Sequence, residues 1–409
     1  MSGARAGLAI RVRLWLIGRI RRSRFLPTGM PDKRVDVAEL EQPLAADVIV
    51  FHPTGQDTLY QLLPWLPAFR ALGTTHPVTI VFRDSRTAAA VRTALAGSGD
   101  DAGVTCLTLA TYGQLDAILS RSRVRLALYV NHDPINFECL RFTSLAHVYL
   151  GHGDSDKGVS VSNQVKAYDY CFLAGRAALE RTATHVMDYD AEQRSILIGQ
   201  PQLDGSPNVV PAPDPAGRPT VLYAPTWEAS QPSVSYGSVD VLGLELVRAL
   251  QPTYRVVYRP HPLNGVVRAE YGAADAAVRE AADRVDLRVP LEQSFADADL
   301  LVTDVSAVPL NWLPTGKPML VTVPGVPTPA SRMLELLPRV RHADDHAALV
   351  AHHLADDPTR QARTALVSHY LTDVTPGAAT QRFVDACEQV MARRDRLWAE
   401  KQALGATGP

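Results

Sequence analysis

Three short stretches hold the side chains best suited to chemistry: Leu150-Gly-His-Gly-Asp-Ser-Asp-Lys-Gly158, Arg259-Pro-His-Pro262 and Leu301-Val-Thr-Asp-Val-Ser306. Each follows an apolar run with the character of a buried parallel strand. Each therefore sets polar groups at a strand's carboxyl end, the edge where open α/β sheets bind ligands. His152 suits proton removal, since an unperturbed imidazole titrates near the working pH. Its neighbours Gly151 and Gly153 let backbone approach a substrate closely. Lys157 offers a point charge for phosphate, with Asp154 and Asp156 beside it in sequence to neutralise part of that charge. His261, between Pro260 and Pro262, is a second imidazole on a rigid turn, and when protonated it would hydrogen-bond a diphosphate or a departing phosphate. Arg259 points the other way along an extended chain. Thr303, Asp304 and Ser306 close a strand and open a helix, where a hydroxyl and the first helical N–H groups form either an anion cradle or an N-cap. Together these groups suit the transfer of a phosphorylated group.

Positioning them requires strands. Apolar runs at 47–51, 77–82, 104–109, 126–130, 146–150, 170–174 and 196–198 alternate with helical patterns, which predicts a parallel sheet with helices on both faces. The first of these helices is expected over 57–72. The Pro-rich segment Val209-Val-Pro-Ala-Pro-Asp-Pro-Ala-Gly217 extends neither element and reads as a linker. A second α/β unit follows, with strands at 220–224, 254–258, 300–303 and 320–323 and helices near 239–250 and 266–282. A long helix over about 381–404 closes the chain. The length of 409 residues suits two such units. His52-Pro-Thr-Gly-Gln56 and Asn131-His132-Asp133 also fall at strand ends and are candidates for acceptor contact. Asp133, Asp154 and Asp156 have no spacing that demands a divalent ion, so neither metal nor other cofactor is expected.

Charge is uneven. Net charge is −2, but residues 1–34 hold nine Arg and Lys against one Asp, which is +8 and leaves −10 on the remainder. Between Ala6 and Phe25, Leu8, Val12, Trp15 and Ile20 share one helical stripe among arginines, a pattern that suits the surface of an anionic membrane. The alternative is a basic tail or a helix docked on the body. No apolar run reaches the length of a bilayer span. The four cysteines, Cys106, Cys139, Cys171 and Cys387, lack metal or disulfide spacing and read as small buried hydrophobes of a reducing cytoplasm.

In order along the chain stand His152-Gly-Asp-Ser-Asp-Lys157, Gly199-Gln-Pro-Gln-Leu-Asp204, Tyr223-Ala-Pro-Thr-Trp227, His261-Pro262 and Thr303-Asp-Val-Ser306. This set resembles the CDP-glycerol glycerophosphotransferases that polymerise teichoic acids of the cell wall. The resemblance implies the GT-B fold, two Rossmann-like domains facing across a cleft. The boundaries are a basic amphipathic arm at 1–35, an acceptor domain at 36–208, a linker at 209–219, a nucleotide-donor domain at 220–375 and a C-terminal helix at 376–409. It also implies His152 and His261 as catalytic residues, with Lys157, Thr226, Thr303, Asp304 and Ser306 binding substrate phosphates. The partners it implies are CDP-glycerol or a related nucleotide donor and a polymer or lipid-linked acceptor. With the arm on an anionic membrane surface, the chain would lie in the cytoplasm on the inner face of the membrane. Nucleic acid is not an expected partner.

The chain departs from the family pattern at several places. Glu228 and Gln202 stand where the family commonly has arginine, Val305 replaces a tyrosine, Ala307 replaces a serine, and Asn311 replaces an aspartate. The donor is therefore CDP-glycerol or a carrier of another polyol or sugar phosphate. Two other readings fit the same fold: a glycosyltransferase or nucleotide-sugar epimerase using a UDP-sugar, and an interaction protein without activity.

Overall fold

The computed structural model describes residues 42–97, 103–204, 216–229, 235–323 and 331–405, with the single positions 211, 214, 231, 325 and 326. The arm at 1–35 and five residues of the 209–219 segment lie outside the described residues.

Each apolar run forms a strand. Val48–His52 (β1), Val78–Phe82 (β2), Val104–Thr108 (β3), Leu126–Tyr129 (β4), Ala146–Tyr149 (β5), Tyr170–Leu173 (β6) and Ser195–Leu197 (β7) make one sheet, ordered β3-β2-β1-β4-β5-β6-β7. Thr220–Ala224 (β8), Arg255–Tyr258 (β9), Arg284–Val285 (β10), Leu300–Thr303 (β11), Met319–Thr322 (β12) and Arg339–Val340 (β13) make the second, ordered β10-β9-β8-β11-β12-β13. The second sheet is parallel throughout. In the first, β1 pairs in parallel with β2 and β4, with Val48 opposite both Val78 and Leu126.

These strands read as continuous apolar runs because both faces are covered. Along β8, Val221 and Tyr223 enter one core with Val256, Tyr258 and Leu300, while Leu222 and Ala224 enter another with Val257, Leu301 and Trp312. In both sheets the chain reverses its winding beside the first strand, between β1 and β4 and between β8 and β11. Loops leaving the carboxyl ends of those strands part there and leave room for a ligand.

By contacts the chain forms two compact units. The first comprises the described residues within 1–152, 164–172 and 380–409, and the second those within 153–163 and 173–379. The closing helix, Ala378–Ala403, packs Phe383 against Trp65, Phe69 and Phe172 of the first unit at centroid distances of 5.7, 6.1 and 6.2 Å. Arg394 Nε donates to the Ser144 carbonyl at 2.6 Å.

Two helices differ from expectation. Over 57–72 the chain forms four pieces in place of one helix: a 3-10 turn Gln56–Thr58, a helical turn Leu59–Leu62, a second 3-10 turn Leu63–Trp65 and the helix Leu66–Gly73. Pro64 and Pro67 cause this, since each removes a donor and is tolerated only in the first turn. The 239–250 segment opens on a π-helical turn, Val239–Gly243, before the helix Leu244–Leu250.

Candidate functional site

In the first unit the loop after β5 carries His152. Gly151 takes φ +67°, a conformation that favours glycine, and this turns the chain out of the strand. Trp65 Nε1 donates to the Gly151 carbonyl at 2.8 Å and fixes the turn. His152 is exposed, with the Tyr60 ring edge-on at 6.1 Å and 83°. Surrounding protein atoms lower its pKa by desolvation, against a hydrogen bond to the Val130 carbonyl that raises it. The net shift is downward, so His152 is neutral at pH 7 and able to accept a proton. The Val130 bond occupies one ring nitrogen, leaving the other able to accept a hydrogen.

Other strand-end residues of this unit are mostly used internally. His132 stacks flat on Tyr149 at 4.0 Å and 8°, and burial together with the nearby His152 lowers its pKa to about 4. His52 is fully buried, its Nε2 within 3.2 Å of the Thr54 and Thr58 hydroxyls. Asn131 Nδ2 donates to Gln61 Oε1 at 2.8 Å, and Asp133 accepts the Ile135 N–H at 2.8 Å within its own turn. Of the His52–Gln56 and Asn131–Asp133 candidates, His52 and Asp133 therefore act on their own loops.

The second unit brings Lys157, Thr226 and His261 together. Lys157 Nζ donates to Thr226 Oγ1 at 2.7 Å and lies 5.9 Å from the centre of the Tyr236 ring, whose hydroxyl accepts the Gly158 N–H at 3.0 Å. Burial pushes the lysine down to about 8, while the Asp304 carboxylate acts to raise it. The His261 ring stacks on Trp227 at 5.9 Å and 14°, and its Nδ1 accepts the Leu263 N–H at 3.1 Å. Burial first, and the Lys157 charge second, bring His261 to about 4, with Glu228 opposing.

This corrects the expectation of a protonated His261. In the ligand-free protein the ring is neutral at pH 7, with Nδ1 as acceptor, so Nε2 carries the hydrogen and donates. A diphosphate arriving beside Lys157 and His261 would find one ammonium and one neutral N–H donor.

Asp154 and Asp156 do not neutralise Lys157. Both turn to Arg181 on the helix Arg176–His185, which donates to Asp156 Oδ1 at 2.6 Å and to Asp154. Asp156 also accepts from the Tyr370 hydroxyl at 2.7 Å and from Ser331. Lys157 is thus left facing the site. No pattern in the sequence links Arg181 to the two aspartates.

The Thr303-Asp-Val-Ser306 turn lies beneath these groups and is largely spent on the fold. Thr303 Oγ1 donates to the Ala224 carbonyl at 2.8 Å. Asp304 is fully buried and accepts from the N–H groups of Thr226 at 2.8 Å and Ser238 at 3.1 Å, and from the Thr322 hydroxyl at 2.5 Å. It positions Thr226 rather than meeting an anionic ligand, which its own charge would repel. Ser306 Oγ accepts the Val308 N–H at 3.2 Å, and the helix it precedes, Val308–Trp312, has only five residues. So short a helix contributes little dipole to a cradle. Arg259 turns away as expected, donating to the Val289 carbonyl and Ser294 Oγ.

Within the Gly199–Asp204 segment Gln200 Nε2 donates to Asn311 Oδ1 at 2.9 Å. Among the described residues no group of three or more His, Cys, Asp or Glu side chains is arranged to hold a metal, and no helix is long and apolar enough to cross a membrane. All four cysteines are buried and none forms a disulfide.

Comparison with known proteins follows this geometry. Among solved structures, the wall teichoic acid polymerase TagF is similar in fold, with a TM-score of 0.54 at 14% identity over 87% of this chain and 91% of that one. A histidine-to-asparagine variant of that polymerase soaked with CDPG gives 0.54 at 15% identity, covering 88% and 91%. A glycosyltransferase from Rickettsia africae gives 0.55 at 9% identity, covering 84% and 98%. These likenesses establish two parallel α/β units of the GT-B class. No curated protein matched the chain. Across residues 147–328, a segment that holds all five ordered motifs, the sequence matches the CDP-glycerol:poly(glycerophosphate) glycerophosphotransferase family.

Proposed function

We propose that this chain is a CDP-glycerol-using glycerophosphotransferase. It moves glycerol phosphate, or a related polyol or sugar phosphate, from a CDP-linked donor to a hydroxyl of a teichoic-acid-like cell-surface polymer. The observation that carries this reading is the ammonium of Lys157, seated on Thr226 beside the N–H donor of His261 at the switch point of the second sheet. The family match over 147–328 supports it.

The chemistry follows from what each group can do. Neutral His152 takes the proton of the acceptor hydroxyl. The oxygen attacks the phosphorus that bears glycerol, a new P–O bond forms, and the bridging P–O bond breaks. CMP leaves with the bonding electrons. Lys157 offsets the diphosphate's charge, and His261 Nε2–H hydrogen-bonds the departing phosphate as its charge grows. Asp304 accepts the Thr226 N–H, Trp227 stacks on His261, and Tyr236 accepts the Gly158 N–H. A UDP-sugar reading rests on likeness of fold alone, which does not fix the reaction. Incubation with CDP-glycerol and, separately, with UDP-sugars decides: CMP release from the first supports the proposal, and UDP release from the second overturns it.

The basic arm at 1–35 supports attachment to an anionic membrane surface, which would place the enzyme at the inner face of the membrane beside a lipid-linked acceptor.

A further inference from the structure

Glu228 stands where the resemblance would place an arginine. It is 1% exposed, and its carboxylate accepts three backbone N–H groups, from Gly265 at 3.1 Å, Val267 at 3.0 Å and Arg268 at 3.2 Å. Those donors belong to the turn that precedes the helix Ala269–Ala281, whose N-cap Arg268 supplies no side-chain cap of its own. The first N–H groups of a helix need an acceptor, and a negative charge is favoured there. Of the three donors only Arg268 is the helix's N-cap, and Glu228 supplies its acceptor from the loop after β8. Burial works against that charge, but the backbone hydrogen bonds outweigh it and hold the carboxyl below its usual range.

The turn so capped is tight. Gly265 has φ +76°, and a Cβ placed there would lie 2.5 Å from Gly272 Cα. Its amino-terminal side carries His261, with the Asn264 N–H donating to the His261 carbonyl at 3.1 Å. Three consecutive residues leaving β8 thus each hold one part of the site. Thr226 holds Lys157, Trp227 lies on His261, and Glu228 holds the turn.

We propose that Glu228 is a positioning residue, which by capping the turn at 265–268 fixes the orientation in which His261 meets the donor diphosphate. This rests on the function proposed above. Its consequence is that arginine at this position would not restore donor binding. It would leave the N–H groups of Gly265, Val267 and Arg268 without that acceptor and set a second positive group beside Lys157.

The test uses the full chain with Glu228→Gln, Glu228→Ala and Glu228→Arg, each checked for folding by its thermal transition. Amide hydrogen exchange at Gly265, Val267 and Arg268 should quicken by about tenfold or more in Glu228→Ala, the scale of one lost charge-assisted hydrogen bond. The His261 titration should move to lower pH in Glu228→Gln, because the carboxylate's charge now opposes that fall. Donor kcat/KM should drop by about 10- to 100-fold in Glu228→Ala. It should recover in part in Glu228→Gln and stay low in Glu228→Arg. Unchanged exchange at the three amides, or Glu228→Arg matching or exceeding the parent, would overturn the proposal. Absence of CDP-glycerol turnover by the parent would overturn the function instead, while exchange and titration still decide the role of Glu228. If Glu228→Ala does not fold, Glu228→Gln carries all three readouts.

Discussion

Replacing Lys157 with methionine keeps an unbranched apolar stem and removes the terminal ammonium and its charge. An ammonium about 4 Å from a phosphate charge at an effective dielectric of about 20 interacts by about 4 kcal/mol. The buried Asp304 carboxylate, which acts on the same lysine, offsets part of this. A hydrogen bond to a charged group typically contributes about 1.5–3 kcal/mol net. Donor kcat/KM should therefore fall by about 10- to 150-fold. The assay is CMP release at varied CDP-glycerol, from pH 6 to pH 9. Lys157 titrates at about 8, so its charge is present below that pH and lost above it. The parent's donor KM should rise as pH passes through about 8, converging on the Lys157→Met value, whereas the variant stays flat. The same substitution removes a charge that depresses His261, so the His261 titration should move up from about 4. A basic limb that persists unchanged in Lys157→Met, with His261 unmoved, would refute the placement of the ammonium beside the donor.

Further outcomes follow from the same geometry. His152→Ala should lower kcat by about 10²- to 10⁴-fold, the usual contribution of a positioned base, with donor KM nearly unchanged. On the acid side the parent's kcat should hold until below the ordinary imidazole range, because desolvation lowers the His152 pKa, and that limb should vanish in the variant's residual rate. Arg181→Ala leaves Asp154 and Asp156 as buried carboxylates without their counter-charge and should cost about 3–5 kcal/mol of unfolding free energy, measured by denaturant titration. Deleting residues 1–25 should move the protein from membrane pellet to supernatant while turnover of a soluble acceptor continues.

The strands were legible because a parallel sheet covered on both faces demands unbroken apolar runs, and β8 and β11 begin and end where those runs do. Candidate chemistry was legible for the same reason: Thr226 and His261 leave the carboxyl ends of the neighbouring strands β8 and β9, and Lys157 reaches Thr226 from the loop after β5. What was hidden is pairing across sequence. Asp154 and Asp156 look like neighbours of Lys157, but Arg181, more than twenty residues on, claims both. Asp304 in sequence is an exposed-looking turn residue, yet it is buried because two N–H groups and a hydroxyl await it. Glu228 read only as a missing arginine, since nothing local shows that the turn at 265–268 lacks a cap. Pro64 and Pro67 could have warned that 57–72 is no single helix.

The claim that a phosphorylated group moves is tested most directly by ³¹P NMR of the full chain with CDP-glycerol and a glycerol-phosphate-terminated acceptor. The diphosphate resonances should disappear as CMP and a new phosphodiester grow in equal amounts. Release of CDP, or CMP formed without any phosphodiester on the acceptor, would contradict the account.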